Sequence, residues 1–376
     1  MSTETPVLGL GPVDRAEPSR PSRSMWGAVG MVLLGTAALT IGVGVGMRWL
    51  LVTGLSWPTI LGLTSLVIGT TLLAVGSGRI VRDRRPLVRW LVLPLIWIGV
   101  AVMVWTLSPA LIATVVPPTP LDLTPSDVGL DAVEVVFPTT DGVELAAWYL
   151  PSSNGAAVVL RHGSGSNSAA TMDHATVLAE HGFGVLMTDA RGHGRSGGRA
   201  MDFGWNGDAD IAAAVTFLQS LPDVDPHRIG VIGLSMGGEE AIGAIAADRR
   251  IDAVVAEGAT ARTHEDKRWL SEVYGWRGSV QEALEWVQYR FTSVLASPAI
   301  PASLRESAQA ASPRPVLLIV GEATADEAHA ADHIAADADN VIVWEVVGSG
   351  HVGALATAPA EWEARVVAFL EKALGD

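Results

Sequence analysis

Three long stretches without a charged residue occupy the first third of the chain and restrict what this part can fold into. The runs contain 24, 30 and 32 residues and comprise residues 24–47, 49–78 and 90–121. A helix needs about 20 apolar residues to cross the hydrocarbon core of a bilayer. The sequence therefore predicts three transmembrane helices, at about residues 25–47, 57–77 and 90–110.

The first run has one feature of a secretory signal, because Arg15, Arg20 and Arg23 precede it. The apolar region of a signal peptide is only about 7 to 15 residues long, however, and a polar mature sequence follows it. Here the run is longer and two further runs follow, so we expect the first helix to be retained.

Arginines are distributed unevenly between the segments that flank these runs. Three lie in the amino-terminal segment and five in residues 79–89, whereas Arg48 is alone in the first loop and residues 117–131 contain neither Lys nor Arg. Because cytoplasmic loops carry the excess of positive charge, the pattern places the amino terminus and the 79–89 loop inside the cell. We expect a multi-pass protein of the cell membrane with its remaining chain on the extracytoplasmic side, and a disordered cytoplasmic tail over residues 1–24.

The second part of the chain is strongly acidic. Residues 121–376 contain 16 Lys and Arg against 36 Asp and Glu, out of 25 and 40 in the whole chain. A domain with this charge is not suited to bind nucleic acid. The chain contains no cysteine, which excludes disulfides and thiolate chemistry.

A change of pattern follows the third apolar run. We interpret residues 25–116 as a membrane anchor and the prolines of residues 117–130 as a stiff linker, since proline ends a helix. Residues 131–376 then show a hairpin around Asp141-Gly142, followed by strands that alternate with helices. This order predicts an α/β fold, with a mostly parallel sheet and helices on both of its faces, preceded by the three transmembrane helices.

Residues 262–312 interrupt this alternation. Apolar residues recur there at helical spacing, and Trp269, Trp276 and Trp286 lie in or beside them. The segment is either an amphipathic helix packed on the sheet or a cap over a pocket. If it is a cap, we expect its aromatic residues to line an apolar substrate site.

The strongest chemical signal is the segment Gly233-Leu234-Ser235-Met236-Gly237, which a predicted strand precedes and a predicted helix follows. This G-x-S-x-G pattern is typical of a sharp turn that presents a serine hydroxyl at the carboxyl edge of a sheet, and small residues on both sides prevent collisions. We therefore expect Ser235 to be a nucleophile.

A serine hydroxyl needs a base within hydrogen-bond reach to act as a nucleophile at neutral pH. Of the nine histidines, only His351 follows the last predicted strand, in a glycine-rich loop that can bring its ring over the sheet edge. The sequence around His162 and His193 favours local structural roles for those two.

An oxyanion hole for the attacked carbonyl requires two N–H donors. The backbone N–H of Met236, at the start of a helix, is the first candidate. The glycine-rich turn after the strand at 156–160 offers the N–H of Ser164 as the second.

From about residue 131 to its end the chain resembles the α/β-hydrolase superfamily, near its esterases, dienelactone hydrolases and S33 peptidases. The resemblance implies a Ser, acid, His triad in that chain order, with Ser164 and Met236 supplying the oxyanion hole. It rests on His162-Gly163, on Asp189 to Gly194 with Ser196-Gly197, on the turn at Ser235, on Pro315 to Gly321 and on Gly348 to His351.

One position departs from the family pattern. The acid usually lies three residues after the glycine that ends the 316–320 strand, and Thr324 occupies that position here. Threonine cannot stabilise an imidazolium as a carboxylate does. We expect Asp326 to be the acid, with Glu327 and Glu322 as alternatives in the same loop and Glu257 as a more distant one.

These residues predict a membrane-anchored serine hydrolase that cleaves an ester or related acyl bond through an acyl-enzyme, with no metal or cofactor. A small-molecule or lipid-like acyl compound is the expected substrate, because the chain is held at a membrane. Two alternatives remain open. One is a serine peptidase acting on short peptides, and the other is a catalytically inactive hydrolase fold that serves as a binding module, which Thr324 favours.

Overall fold

A computed structural model describes residues 23–296 and 298–375. The tail predicted for residues 1–24 lies outside the described residues, except for its last two, which begin the first helix.

Four helices precede the sheet. The first two form one continuous rod through a π-helical turn, Gly42–Met47, and prolines stand in the first turns of the other two. Among the described residues, three stretches are long and apolar enough to cross a membrane: Met25–Thr53, Trp57–Val81 and Pro86–Thr114. All three extend beyond the predicted spans. The helices are α1 (Arg23–Ile41), α2 (Arg48–Thr53), α3 (Trp57–Val81) and α4 (Pro86–Thr114).

Glycines allow these helices to pack closely. The π-helical turn contacts α3 and α4, and its three glycines are buried. A Cβ added at Gly46 would lie 2.7 Å from Gly62 Cα, which is closer than packed atoms come. The glycines therefore bring backbone against backbone within the bundle.

An eight-stranded sheet forms the centre of the second part, in the order β1-β2-β4-β3-β5-β6-β7-β8. Strand β2 pairs antiparallel with β1 and β4, and the pairs from β4 to β8 are parallel. This confirms the predicted α/β fold with a mostly parallel sheet. The strands are β1 (Val133–Pro138), β2 (Glu144–Leu150), β3 (Ala157–Arg161), β4 (Gly184–Thr188), β5 (Ile229–Leu234), β6 (Ala253–Glu257), β7 (Val316–Gly321) and β8 (Val341–Val346).

Helices cover both faces of the sheet, and each face has its own apolar cluster. The helices of this part are α5 (Met172–Glu180), α6 (Gly207–Leu218), α7 (Met236–Ala247), α8 (Leu270–Tyr274), α9 (Trp276–Leu295), α10 (Leu304–Ala311), α11 (Ala325–Ala335), α12 (Ala354–Thr357) and α13 (Pro359–Leu374). One cluster joins the sheet to α6, α7, α10 and α11, and the other joins it to α5 and α13.

The segment at 262–312 divides into two parts. Helix α10 packs against α7 and α11, and its Leu304 and Ala308 are fully buried. Helix α9 contacts α8, the 3-10 turn His264–Lys267 and α4, and only Gly278, Tyr289 and Thr292 of its residues are buried. The amphipathic helix at 276–295 is therefore not packed on the sheet, and it lies between α4 and the carboxyl edge of the strands.

Residues 115–132 connect the helical bundle to the sheet and contact the domain along the way. The hydroxyl of Thr119 donates to Ser166 O at 3.2 Å and accepts from Gly194 N at 3.0 Å. The side chain of Asn167 donates to Pro120 O at 3.0 Å. The linker is thereby fixed to two loops at the carboxyl edge of the sheet.

Candidate active site

Ser235 stands at the turn between β5 and α7 with a φ of +54° and a ψ of −122°. This is a strained conformation for a residue other than glycine, and such strain is found mainly at functional sites. A Cβ at Gly233 would lie 2.1 Å from Gly237 O, and one at Gly237 would lie 2.4 Å from Arg161 O. The two glycines of the G-x-S-x-G pattern are therefore required by close backbone contacts on both sides of the serine.

His351 lies in the loop between β8 and α12, and its Nε2 is 2.8 Å from Ser235 Oγ. The structure thus brings together the predicted nucleophile and base, which are 116 residues apart in the sequence. Gly258 makes room for the ring, since a Cβ there would lie 2.9 Å from His351 Cε1. The next residue, Val352, has a φ of +54°, which is rare for a β-branched side chain.

The carboxylate that contacts His351 is that of Glu327, and the prediction of Asp326 is wrong on this point. Glu327 Oε1 lies 2.5 Å from His351 Nδ1, and its Oε2 accepts from Gly321 N at 2.9 Å. Asp326 is exposed and accepts a hydrogen bond from the hydroxyl of Tyr274 at 2.8 Å. Helix α11 begins at Ala325, and consecutive residues on a helix point about 100° apart around its axis. Glu327 therefore faces His351, while Asp326 faces away from it.

The other acids considered from the sequence have supporting contacts. Glu322 is exposed and accepts from Gly348 N at 2.9 Å, which holds the loop that carries His351. Glu257 is buried at the end of β6 and accepts from Ala354 N at 2.8 Å. Burial raises the pKa of Glu257, although that N–H bond opposes the effect. Thr324 precedes the first residue of α11.

The two expected oxyanion donors flank the serine. Met236 is the first residue of α7, and Ser164 follows Gly163, where a Cβ would lie 3.0 Å from Ser235 Cβ. Within residues 23–296 and 298–375, neither backbone N–H donates to a protein acceptor. Both are thus available to an oxygen that is bonded to the attacked carbon.

His162 and His193 position this loop. The ring of His162 accepts from Ala190 N at 2.9 Å, and the ring of His193 accepts from Gly165 N at 3.2 Å. Burial lowers the pKa of both rings, which keeps them neutral and able to accept these bonds. Their observed contacts are structural, as the sequence indicated.

A cavity of about 260 Å³ opens beside Ser235, between the sheet edge and α9. Its walls are more polar than expected. Tyr289 is the one aromatic residue of segment 262–312 in the described lining. Trp269 is buried against Leu270 and Ala330, while Trp276 and Trp286 are exposed, so the expectation that the tryptophans line an apolar site is wrong. The cavity is lined by Phe203, Ser235, Met236, Glu239, Thr260, Ala261, Lys267, Glu285, Gln288 and Tyr289.

Two titratable groups at the site have shifted pKa values. The hydrogen bond that His351 Nδ1 donates to Glu327 raises the pKa of His351 above its ordinary value, against the opposing effect of partial burial. His351 therefore holds a proton more readily than a free imidazole does. On the cavity wall, burial raises the pKa of Glu285, and the nearby charge of Lys267 opposes this effect.

Comparison with known proteins shows similarity over the part of the chain that contains Ser235. A family described as serine aminopeptidase, S33 matches residues 152–323, a range that includes Ser235 and ends before Glu327 and His351. A thiohydrolase of Aspergillus aculeatus is 36% identical over 127 residues, or 33% of this chain and 40% of that protein. An uncharacterised protein of Mycobacterium tuberculosis is 36% identical over 113 residues, or 29% of this chain. The alignments thus span 40% of the length of these two curated relatives.

Solved structures show the same architecture over a longer range. An esterase of Pyrococcus furiosus is 25% identical, with a TM-score of 0.55 that covers 70% of this chain and 99% of that one. An α/β-hydrolase from a Penicillium species, 21% identical with a TM-score of 0.50, shares the fold.

The chain has the α/β-hydrolase fold, with a serine at the sharp turn between a strand and a helix. It is similar to esterases of this fold and to the family described as serine aminopeptidase, S33.

Proposed function

We propose that the protein is a membrane-anchored serine hydrolase that cleaves an ester or related acyl bond. Ser235 Oγ attacks the carbonyl carbon while His351 Nε2 takes its proton, and the N–H groups of Ser164 and Met236 bind the oxyanion. The protonated imidazole then gives its proton to the leaving alcohol. A water molecule that His351 deprotonates releases the acid from the acyl-enzyme.

The observation that carries this proposal is the position of the His351 ring between two side chains. Its Nε2 is 2.8 Å from Ser235 Oγ, and its Nδ1 is 2.5 Å from Glu327 Oε1. A carboxylate on Nδ1 selects the tautomer that can accept the serine proton. Glu327 thereby supplies the charge that Thr324 lacks, which weakens the argument for an inactive binding module.

A peptidase is the second candidate, and two observations favour it. The matching family is described as a serine aminopeptidase. The cavity beside Ser235 contains Glu285, whose carboxylate is of the type that binds a peptide amino terminus. Lys267 lines the same cavity and reduces the negative charge there, so we place the ester reading first.

The proposed location is the cell membrane, with the hydrolase domain outside. It rests on three apolar helices and on the arginines of residues 79–89, which comprise the end of α3, the connection to α4 and the start of α4.

The proposed domains are an anchor over residues 25–116, a linker over 117–130 and the hydrolase domain over 131–376. Within the hydrolase domain we propose that the turn His264–Lys267, α8 and α9 form the cap.

The test is labelling by a fluorophosphonate probe that cannot cross a bilayer, first on intact cells and then on opened membranes. We expect labelling of the wild type on intact cells and none of Ser235→Ala or His351→Ala. Ser220→Ala and His227→Ala are matched controls, since both residues are exposed and lie away from the site.

The outcomes test the proposed topology and the proposed chemistry separately. Labelling only after the membranes are opened would overturn the topology and leave the chemistry in place. If the folded wild type is not labelled in either preparation, the hydrolase assignment fails and the binding module is favoured. Panels of acyl esters and aminoacyl peptides then decide between esterase and peptidase.

A further inference from the structure

The membrane-side helices form an apolar groove that the catalytic mechanism does not use. It lies between the first rod and α4, and it encloses about 450 Å³. Its walls are almost entirely aliphatic and aromatic, with Ser108 as the one hydroxyl among the described lining residues. The groove is lined by Leu39, Val43, Trp97, Val100, Ala101, Val104, Trp105, Ser108, Pro109 and Ile112.

Helix α4 is longer than a bilayer requires. Its 29 residues extend about 43 Å at 1.5 Å per residue, compared with a hydrocarbon core of about 30 Å. Trp105 is 80% exposed, as a tryptophan at a membrane interface is, whereas most residues of α4 after Trp105 are buried. The outer interface therefore lies near Trp105, and the groove extends from among the lipid chains to above this level.

The groove adjoins a second cavity, which in turn adjoins the cavity beside Ser235. Trp105 also lines a second cavity of about 310 Å³, which lies between α4 and α9. Glu285 and Gln288 of α9 line both this second cavity and the cavity beside Ser235. Helix α4 also contacts the turn Asp202–Gly204, whose Phe203 lines the catalytic cavity. A chain of three adjoining spaces thus connects the lipid region to the nucleophile.

Polarity changes along this path. The groove is apolar, whereas the cavity at the serine carries Lys267, Glu285 and Gln288. A compound that matches both ends has an apolar chain and a polar group near its reacting carbonyl. This is the chemistry of an amphiphilic acyl ester.

We propose that the groove between the first rod and α4 is the acyl-chain site of this hydrolase, and that its substrate is an amphiphilic ester drawn from the outer leaflet. The inference rests on the proposed function, because it assigns the substrate class of the Ser235 site. The long chain remains among the groove residues at the level of the lipid, while the ester carbonyl passes Trp105 and α9 to reach Ser235.

The test uses the full chain in phosphatidylcholine vesicles and compares hydrolysis of p-nitrophenyl palmitate with that of p-nitrophenyl acetate. Val104→Trp fills the groove, and Val102→Trp is the matched control, because Val102 lies two residues away on α4 and is absent from the groove lining. We expect the palmitate-to-acetate ratio of kcat/KM to fall roughly tenfold in Val104→Trp, which is the effect of losing the burial of about two methylene groups. The ratio should keep its wild-type value in Val102→Trp.

Ala101→Trp is a second variant that fills the same groove. Because Ala101 is exposed on α4, this variant still tests the inference if Val104→Trp does not fold. Labelling of Ser235 by a small fluorophosphonate reports a folded site in every variant. An unchanged ratio in both groove variants, or an equal fall in Val102→Trp, would overturn the inference while the hydrolase assignment stands. A wild type that the probe does not label would instead refute the proposed function itself.

Discussion

The two walls of the catalytic cavity differ in how firmly their polar groups are held. On the sheet side, His351 is bonded to both Ser235 and Glu327, and Glu327 is bonded in turn to the backbone of β7. On the cap side, Lys267 has no carboxylate within ion-pair distance among the described residues. In the proposed mechanism, the first wall fixes the reacting groups by its hydrogen bonds, and the second makes its contacts when the substrate binds. Changes to the first should reduce turnover, and changes to the second should alter preference.

The largest effect is expected at the acid. Glu327→Gln removes the charge that stabilises protonated His351 and should lower kcat for a short ester by roughly 10³- to 10⁴-fold. Asp326→Asn makes the matching change on the neighbouring, outward-facing residue, and it should have little effect. Steady-state kinetics of both variants check this. Comparable losses in the two would contradict the assignment of Glu327.

Gly258 provides the next test of the sheet wall. In Gly258→Ala the new Cβ meets the His351 ring, and a displacement of about 1 Å in a catalytic group can cost roughly 100-fold in kcat. Gly348→Ala is the matched control, since Gly348 also has a positive φ, of +74°, but has open space around its Cβ position. If Gly348→Ala lost as much kcat as Gly258→Ala, backbone strain and not contact with the ring would be responsible for the loss.

The pH profile gives a third test. His351 accepts a proton only when neutral, and its pKa is raised, so activity should fall as the pH drops through a value above the ordinary 6.5. Below that point kcat/KM should decrease about tenfold per pH unit. The acid limb should move to lower pH in Glu327→Gln, where the raising contact is weakened. An acid limb of the wild type at or below 6.5 would be inconsistent with the Glu327 contact.

The smallest effect is expected on the cap wall. Lys267→Met should reduce the preference for an anionic hemisuccinate ester over a neutral butyrate ester by roughly two- to fivefold, because a partly exposed charge contributes little. The measurement is the ratio of kcat/KM for the two esters. Lys372→Met serves as the control, since Lys372 is exposed on α13. If Lys267→Met instead lowered turnover on both esters equally, the proposed difference between the two walls would be wrong.

The sheet and its serine turn could be predicted because their signals are local. Strand β3 is buried throughout, and a strand, a glycine turn and a helix follow one another around Ser235 within about 20 residues. A strand buried on both faces is apolar at every position, and that pattern is visible in the sequence. The predicted alternation and the position of Ser235 followed from these patterns.

The acid could not be identified in the same way. Asp326 and Glu327 are adjacent acids in the first turn of α11, and which of them faces His351 depends on the residue at which this helix begins. Helix boundaries are the least certain part of a sequence-based prediction. The contact between α9 and α4 could not be predicted at all, because residues 115–275 separate the two helices and nothing in either sequence specifies the other.

The short connection from α4 to the sheet also has a kinetic consequence. Thr119 and Pro120 are bonded to loops beside the active site, so the anchor is not a flexible tether. In the proposed topology, Ser235 stays at one height above the lipid and meets its substrates by lateral diffusion. The reaction is then two-dimensional, and its rate follows the mole fraction of the ester in the leaflet. Diluting the ester with inert lipid would slow turnover at constant bulk concentration.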